Sequence, residues 1–160
     1  MSNLLVQNIK HTNNTTAMTV DTSGNVTTTG NTAVGGTLAV TGVNTVGNNA
    51  VHTSDGGAVT QNLVQGLAKC WIQFNGTGSI GTQDSFNRGG LTDNGTGDYT
   101  VTYINNMAND DYAVSGGGNA AQFTFDGVPT TSTVTVETSN SSGTQADITC
   151  VTVTTHGDLA

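Results

Sequence analysis

The sequence predicts an all-β protein: a thin intertwined trimeric β stalk of β-helix or β-prism type, then an antiparallel β-sandwich or jelly-roll head. Three observations predict it. From Leu67 onward, short alternating apolar segments recur at roughly ten-residue spacing with turn residues between them. Between Gly24 and Val46, glycine and valine each return every six residues. Helix formers are scarce: Lys and Arg number 3 together, and no apolar period of the helical kind exists.

The composition agrees. Hydrophobic residues are 34% of the 160, with 22 Gly and a single Pro, so the deficit is in large side chains. Charged residues are only 9%, too few for the self-repulsion of a disordered acidic chain, and Val and Thr favour strands. The net charge of −8 excludes nucleic-acid binding, since 3 cationic side chains neutralise few phosphates. No apolar run reaches the ~18 residues of a membrane span.

Taken in order, residues 1–22 are expected to be an N-terminal attachment segment. Leu4, Leu5, Val6 and Ile9 give it apolar contacts, and no charged region precedes them, which excludes a secretory signal. Residues 23–50 form the stalk, with glycines at Gly24, Gly30, Gly36 and Gly42 and valines at Val34, Val40 and Val46. A single chain coiling by itself needs about eighteen residues per turn and about three repeats to bury a core, which this stretch does not supply. Burying a valine yields up to roughly 1.5–3 kcal/mol, while ordering each residue costs about 1–2 kcal/mol. Three chains sharing one core balance these terms. The expected trimer interface is Val26, Val34, Leu38, Val40, Val43 and Val46, joined by Trp71. A flexible linker is the alternative for such a Gly/Thr/Ser/Asn sequence.

Residues 51–66 read as a connector, with a turn at Asp55-Gly56-Gly57 and one helical turn within 62–68. The head, 67–160, starts where the composition changes. All eight aromatic residues lie between Trp71 and Phe125, and beyond Gly66 two cations face nine acidic residues. Expected strands are 67–74, 79–86, 98–104, 111–116, 121–127, 132–138 and 146–153, with turns at 75–78, 88–90 and 93–97. The inward sets are Ala68, Cys70, Ile72 and Phe74; Tyr99, Val101 and Tyr103; Phe123 and Phe125; Val134 and Val136. That alternation turns Trp71 outward beside Lys69 and Gln73, at a subunit contact or under a covering loop.

Within the head, the segments W-x-x-F-N-G-T-G (71–78), D-S-F-N (84–87) and T-D-N-G-T-G-D-Y (92–99) resemble a module found at the C-terminal end of fibre-like bacteriophage virion proteins. HTNNTTAMTVDTSGNV (11–26) and GGTLAVTG (35–42) are similar to repeats that open or build phage fibre shafts. Cys70 departs from the small apolar residue expected there. The resemblance implies a homotrimeric, non-enzymatic virion structural protein, assembled in the host cytoplasm, with a stalk and a sandwich head. The chain enters its repeat within about twenty residues, leaving no room for a tail-fibre adaptor domain. The favoured expectation is therefore a capsid decoration (cement) protein or short head fibre clamping neighbouring capsid subunits. Its partners would be its own copies and the major capsid protein or another virion protein. A tail-associated fibre recognising host surface glycans is the alternative.

The chemistry-bearing residues agree with a chain that is not an enzyme. No nucleophile elbow surrounds Ser85 or Ser115, and a head of this size is small for a glycan-cleaving groove. His11, His52 and His156 share no metal-ligand spacing, and the acidic turns break the calcium-loop pattern, so neither cofactor nor metal is expected. Cys70 and Cys150 read as small buried residues rather than a disulfide. Asn94, Asp98, Asp110 and Asp111 are the side chains expected to hydrogen-bond sugar hydroxyls. Tyr99, Tyr103 and Tyr112 are expected to fill the core rather than stack on a sugar.

Overall fold

The computed structural model describes residues 8–10, 16–47, 50–53, 60–119 and 121–160. The protein is all-β with antiparallel sheets and a single helical turn among these residues. It divides into two compact units, the first ending at Thr45 and the second starting at Val46.

The first unit holds a three-stranded sheet of β1 (Asn8–Lys10), β2 (Thr16–Val20) and β3 (Val26–Thr28) in that order. Asp21 shapes the β2–β3 turn, its Oδ1 accepting the Ser23 and Asn25 amides, both at 2.8 Å. The Asn25 side-chain amide, donating to Oδ2 at 2.8 Å, is the main cause that holds the Asp21 carboxyl below its usual range. Gly24 occupies the left-handed region at φ 83°, which glycine adopts freely.

The expectation of strands across 23–50 is met only in part. Among the described residues there, Val26–Thr28 is the strand present, and 29–47 carry no strand pairing. One chain offers these residues no neighbouring ladder, and backbone that lacks one stays with solvent. Leu4, Leu5 and Val6 lie outside the described residues, as do His11 and the expected turn at 55–57.

The second unit begins with the hairpin β4 (Val51–Thr53) and β5 (Thr60–Asn62), then α1 (Leu63–Gly66). Asn62 caps that turn, its Oδ1 accepting the Gln65 amide at 3.0 Å. Two four-stranded sheets follow. Sheet I runs β10 (Ala113–Gly118), β13 (Val151–His156), β6 (Cys70–Asn75), β7 (Gly81–Phe86). Sheet II runs β11 (Gln122–Asp126), β12 (Thr133–Ser139), β9 (Asp98–Tyr103), β8 (Arg88–Gly95).

The two sheets face each other across one core. Cys70, Ile72, Phe74, Val151 and Val153 come from sheet I; Tyr99, Val101, Tyr103, Val134 and Val136 come from sheet II. Their spacing of two along each strand puts every one on the inner face. Phe74 and Tyr99 meet edge to face across the gap, ring centres 5.0 Å apart.

Four local expectations need correction. Residues 88–90 are not a turn but the start of β8; the chain reverses at Asn87, a non-glycine residue at φ 57°. Asn87 holds that conformation by donating to the Lys69 and Asn105 carbonyls at 2.9 and 3.0 Å and accepting the Asn105 amide at 2.7 Å. The last strand starts at Val151, because the Asp147 side chain and Ile148 carbonyl bond across to Gly97 and Gly76 instead of to a ladder. Phe125 shares the inner face of Val136, its partner in register, but is exposed rather than buried, since β11 is an edge strand and the core ends there. Lys69 is buried rather than outward, its amine taken by the Val64 and Leu67 carbonyls.

Candidate functional site

The outer face of sheet II is polar across all four strands. Asp98, Thr100 and Thr102 alternate with the buried Tyr99, Val101 and Tyr103, so the hydroxyls and carboxylate turn outward. On β12, Thr133, Thr135 and Glu137 do the same. Register then sets rows: Thr92 opposite Thr100 opposite Thr135, and Asp98 opposite Glu137.

Asp98 and Glu137 are therefore a carboxylate pair on adjacent strands. Like charges directly opposite each other destabilise a sheet, and hydrogen-bond donors offset that by bonding the carboxylates. Here each carboxylate has its own donor: Asn94 Nδ2 donates to Asp98 Oδ1 at 3.1 Å and to Thr100 Oγ1 at 2.8 Å. Gln145 Nε2 donates to Glu137 Oε1 at 2.5 Å, and the Thr100 and Thr135 hydroxyls share a hydrogen bond of 3.1 Å. The arrangement presents acceptors and hydroxyls in a plane, the chemistry that sugar hydroxyls or hydrated cations engage.

Of the four residues expected to contact glycans, the fold brings Asn94 and Asp98 together at the β8–β9 hairpin. Asp110 and Asp111 follow Tyr103, at the far end of β9, and do not join them. Glu137 and Gln145 are members that sequence reasoning misses. Alternation within 132–138 places Glu137 on the outer face, but only the strand order places it opposite Asp98.

A concavity lies where α1 meets the C-terminal residues. This cavity of about 630 Å3 is lined by Asn62, Val64, Gln65, Lys69, Asp158, Leu159 and Ala160. Gln65 Nε2 donates to Asp158 Oδ1 at 3.2 Å across it. Beside it, Asn109, Asp111 and His156 line a cleft of about 290 Å3. Among the described residues, no three His, Cys, Asp or Glu side chains converge as a metal site would require.

The tyrosines belong to the core. Tyr99 donates to the Gly76 carbonyl at 3.2 Å and to Asp147 at 2.9 Å. Tyr103 donates to the Tyr112 hydroxyl at 3.0 Å, and Tyr112 bonds to the Thr130 or Thr133 carbonyl at 3.0 Å. Burial pushes all three phenols upward; the Asp147 hydrogen bond adds to it at Tyr99, and Tyr112 adds to it at Tyr103. Burial also raises the Cys70 thiol to about 11, against the opposing charge of Arg88. Cys70 and Cys150 are both free thiols.

The residues expected at a trimer interface are all exposed in the chain. Val26, Val34, Leu38, Val40 and Val46 leave about half or more of their surface open, and Val43 is 93% exposed. Trp71 sits on the outer face of sheet I at 36% exposure. Ile9, the described member of the expected attachment set, is exposed as well.

No family model matches the chain, and no curated protein matches it. Among solved structures it is similar to the phiAB6 tailspike, crystallised in complex with three-repeated oligosaccharides of Acinetobacter baumannii surface polysaccharide. Identity is 12% and the TM-score 0.45, over 88% of this chain. The chain spans 33% of that tailspike's length. The expectation that the chain is not an enzyme is corrected on this neighbour and is withdrawn. Its sequence basis is the absence of motifs and the size of the head, and no motif marks a carboxylate pair that the fold alone assembles, as it does Asp98 and Glu137.

Proposed function

We propose that the chain is a homotrimeric appendage of a bacteriophage virion: a capsid decoration protein or short head fibre. Its N-terminal part, 1–22, attaches to neighbouring capsid subunits; 23–50 form the shared stalk; 51–66 connect; and 67–160 project as the head. One observation carries this reading. The sandwich closes a complete core by itself, whereas the valines and leucine of 26–46 lie open to water, Val34, Val40 and Val46 among them at six-residue spacing. Copies of that segment that cover these side chains remove their apolar surface from water, which stabilises the assembly. Three copies place one valine each at every level. Binding only the assembled shell then stabilises that shell by mass action.

Light scattering of the full chain tests the oligomer: the reading requires three times the 16.2 kDa of one chain. Incubation with undecorated capsids tests the attachment. Loss of capsid binding on deleting residues 1–20, with the head still folded, supports the clamp, and continued binding refutes it.

The polar face favours a second reading, a tail-associated fibre that recognises host surface glycans. Asn94, Asp98, Thr100 and Glu137 supply hydrogen-bond partners in one plane. Selective labelling on a glycan array that Asp98→Ala and Glu137→Ala both abolish would select this reading over the capsid one.

A further inference from the structure

The tetrapeptide Asn-Gly-Thr-Gly occurs twice, at 75–78 and at 94–97. Asparagine before glycine readily loses its side-chain amide, because glycine has no Cβ to hinder the backbone nitrogen that attacks it. The shared local sequence gives the two sites similar intrinsic reactivity, so the fold sets them apart. We infer that Asn94 is a site of spontaneous deamidation, where the β8–β9 hairpin exchanges a donor amide for a carboxylate, while the fold protects Asn75. The inference rests neither on the trimer nor on the choice between capsid and tail.

At Asn75 the groups that the reaction needs are held. The Gly76 amide donates to the Ile148 carbonyl at 2.8 Å, and the Gly76 carbonyl accepts the Tyr99 hydroxyl at 3.2 Å. Asn75 Oδ1 takes the Thr77 amide and hydroxyl at 3.0 and 2.8 Å. Gly76 is buried, with the Tyr99 ring directly over it. Freeing its nitrogen means parting the ends of the two sheets, an opening close to unfolding of the head.

At Asn94 the same groups lie at the surface. Asn94 is the extra residue of a β-bulge, between Asp93 opposite Tyr99 and Gly95 opposite Asp98. Asn94 and Gly95 are both exposed, and nothing stands within 4 Å of where a Gly95 Cβ would be. The Gly95 amide donates to Asp93 Oδ1 at 3.0 Å, an exposed bond. The bonds from Asn94 Nδ2 to Asp98 and Thr100 are exposed as well, and breaking them opens only the hairpin tip.

The reaction needs only water. Hydroxide takes the Gly95 amide proton, and the nitrogen bonds to the Asn94 Cγ, closing a cyclic succinimide. The Cγ–Nδ2 bond breaks, and Nδ2 leaves as ammonia after taking a proton from water. Another water opens the ring at either carbonyl, leaving aspartate or isoaspartate at position 94. The ionised product has no N–H to give. It sets a third carboxylate beside Asp98 and its cross-strand neighbour Glu137, where the amide had been a donor. The polar face thereby loses the group that serves both Asp98 and Thr100, and gains a negative charge.

The full chain is incubated at mildly alkaline pH, folded in buffer and unfolded in guanidinium chloride, and both samples are mapped by peptide mass spectrometry. Each converted site gains the mass of an amide-to-acid exchange, and electron-transfer fragmentation separates aspartate from isoaspartate. In the folded chain Asn94 should convert at least about tenfold faster than Asn75. In guanidinium chloride the two should convert at comparable rates. The converted folded chain should elute later on anion exchange, its added charge mapping to position 94. An intact Asn94 in folded chain, over a time in which unfolded chain loses both amides, would overturn the inference, since the hairpin would then guard its amide. So would equal conversion of both sites in the folded chain, which would mean reaction through global unfolding.

Discussion

The Tyr99 hydroxyl lies 2.9 Å from Asp147 Oδ1 and donates to it, tying a fully buried phenol to the loop that precedes β13. The same oxygen takes the Gly97 amide at 2.8 Å, and the Gly76 amide donates to the neighbouring Ile148 carbonyl at 2.8 Å. One loop therefore clasps the ends of both sheets beneath the polar face that bears Asp98.

Gly76 leaves no room beneath that clasp. A Cβ there would overlap the Tyr99 hydroxyl and stand 2.7 Å from its Cζ. The ring cannot yield, because Phe74 packs on it edge to face. Gly76→Ala should destabilise the head by about 1–3 kcal/mol, the usual cost of overpacking. Tyr99→Phe, which removes the hydroxyl and keeps the ring, should cost only about 1 kcal/mol. Urea unfolding of the two variants checks the order; equal losses would mean that the steric clash is not the larger effect.

Asn87 is where the chain passes from sheet I to sheet II. Asn87→Ala loses three hydrogen bonds at a buried position and, with them, the local bonding by which asparagine tolerates φ 57°, together about 2–4 kcal/mol. Asn87→Gly keeps the backbone geometry and should lose less. Thermal unfolding of both variants separates the two contributions, and an alanine variant as stable as the glycine one would refute a conformational role.

Alkaline pH should unfold the head. Tyr99, Tyr103 and Tyr112 have their phenol pKa values raised above the ordinary 10.0, chiefly by burial. The folded state thus binds these protons more tightly than the unfolded one. Their contribution is fully present below pH 10.0 and is lost as pH climbs through the folded values. A near-ultraviolet titration should show the three phenols ionising together with loss of circular dichroism. Reversible ionisation near pH 10.0 in an intact fold would contradict their burial.

Period-two alternation makes the inner faces legible in the chain itself: Tyr99-x-Val101-x-Tyr103, Val134-x-Val136 and Cys70-x-Ile72-x-Phe74 all point inward. The features that alternation misses depend on partners distant in the chain. Nothing local marks Asn87 as the reversal point rather than Gly89-Gly90, since its three bonds run to Lys69 and Asn105. Lys69 is missed for a different reason: its amine partners, the Val64 and Leu67 carbonyls, are close in the chain, but alternation says nothing of the helical turn that aims them at it. The site divides in the same way. Asn94 and Asp98 share one hairpin and are legible as neighbours, while Glu137 joins them only because β12 lies beside β9.

The valines of the proposed stalk give the sharpest test of assembly. Val40 leaves 48% of its surface open in one chain, and its neighbours at six-residue spacing, Val34 and Val46, do likewise. If three copies wind around a common axis, Val40→Asp places three carboxylates against one another. At about 5 Å and an effective dielectric near 20, each pair repels by about 3 kcal/mol. The variant should lose its three-copy mass at neutral pH while the head keeps its circular dichroism, because the head's core lies wholly in the second unit. Protonating the carboxylates below about pH 4 should return the trimer. Val40→Ala, which removes apolar surface without adding charge, should weaken assembly without abolishing it. A full three-copy mass for Val40→Asp at neutral pH would show that these valines do not meet on an axis.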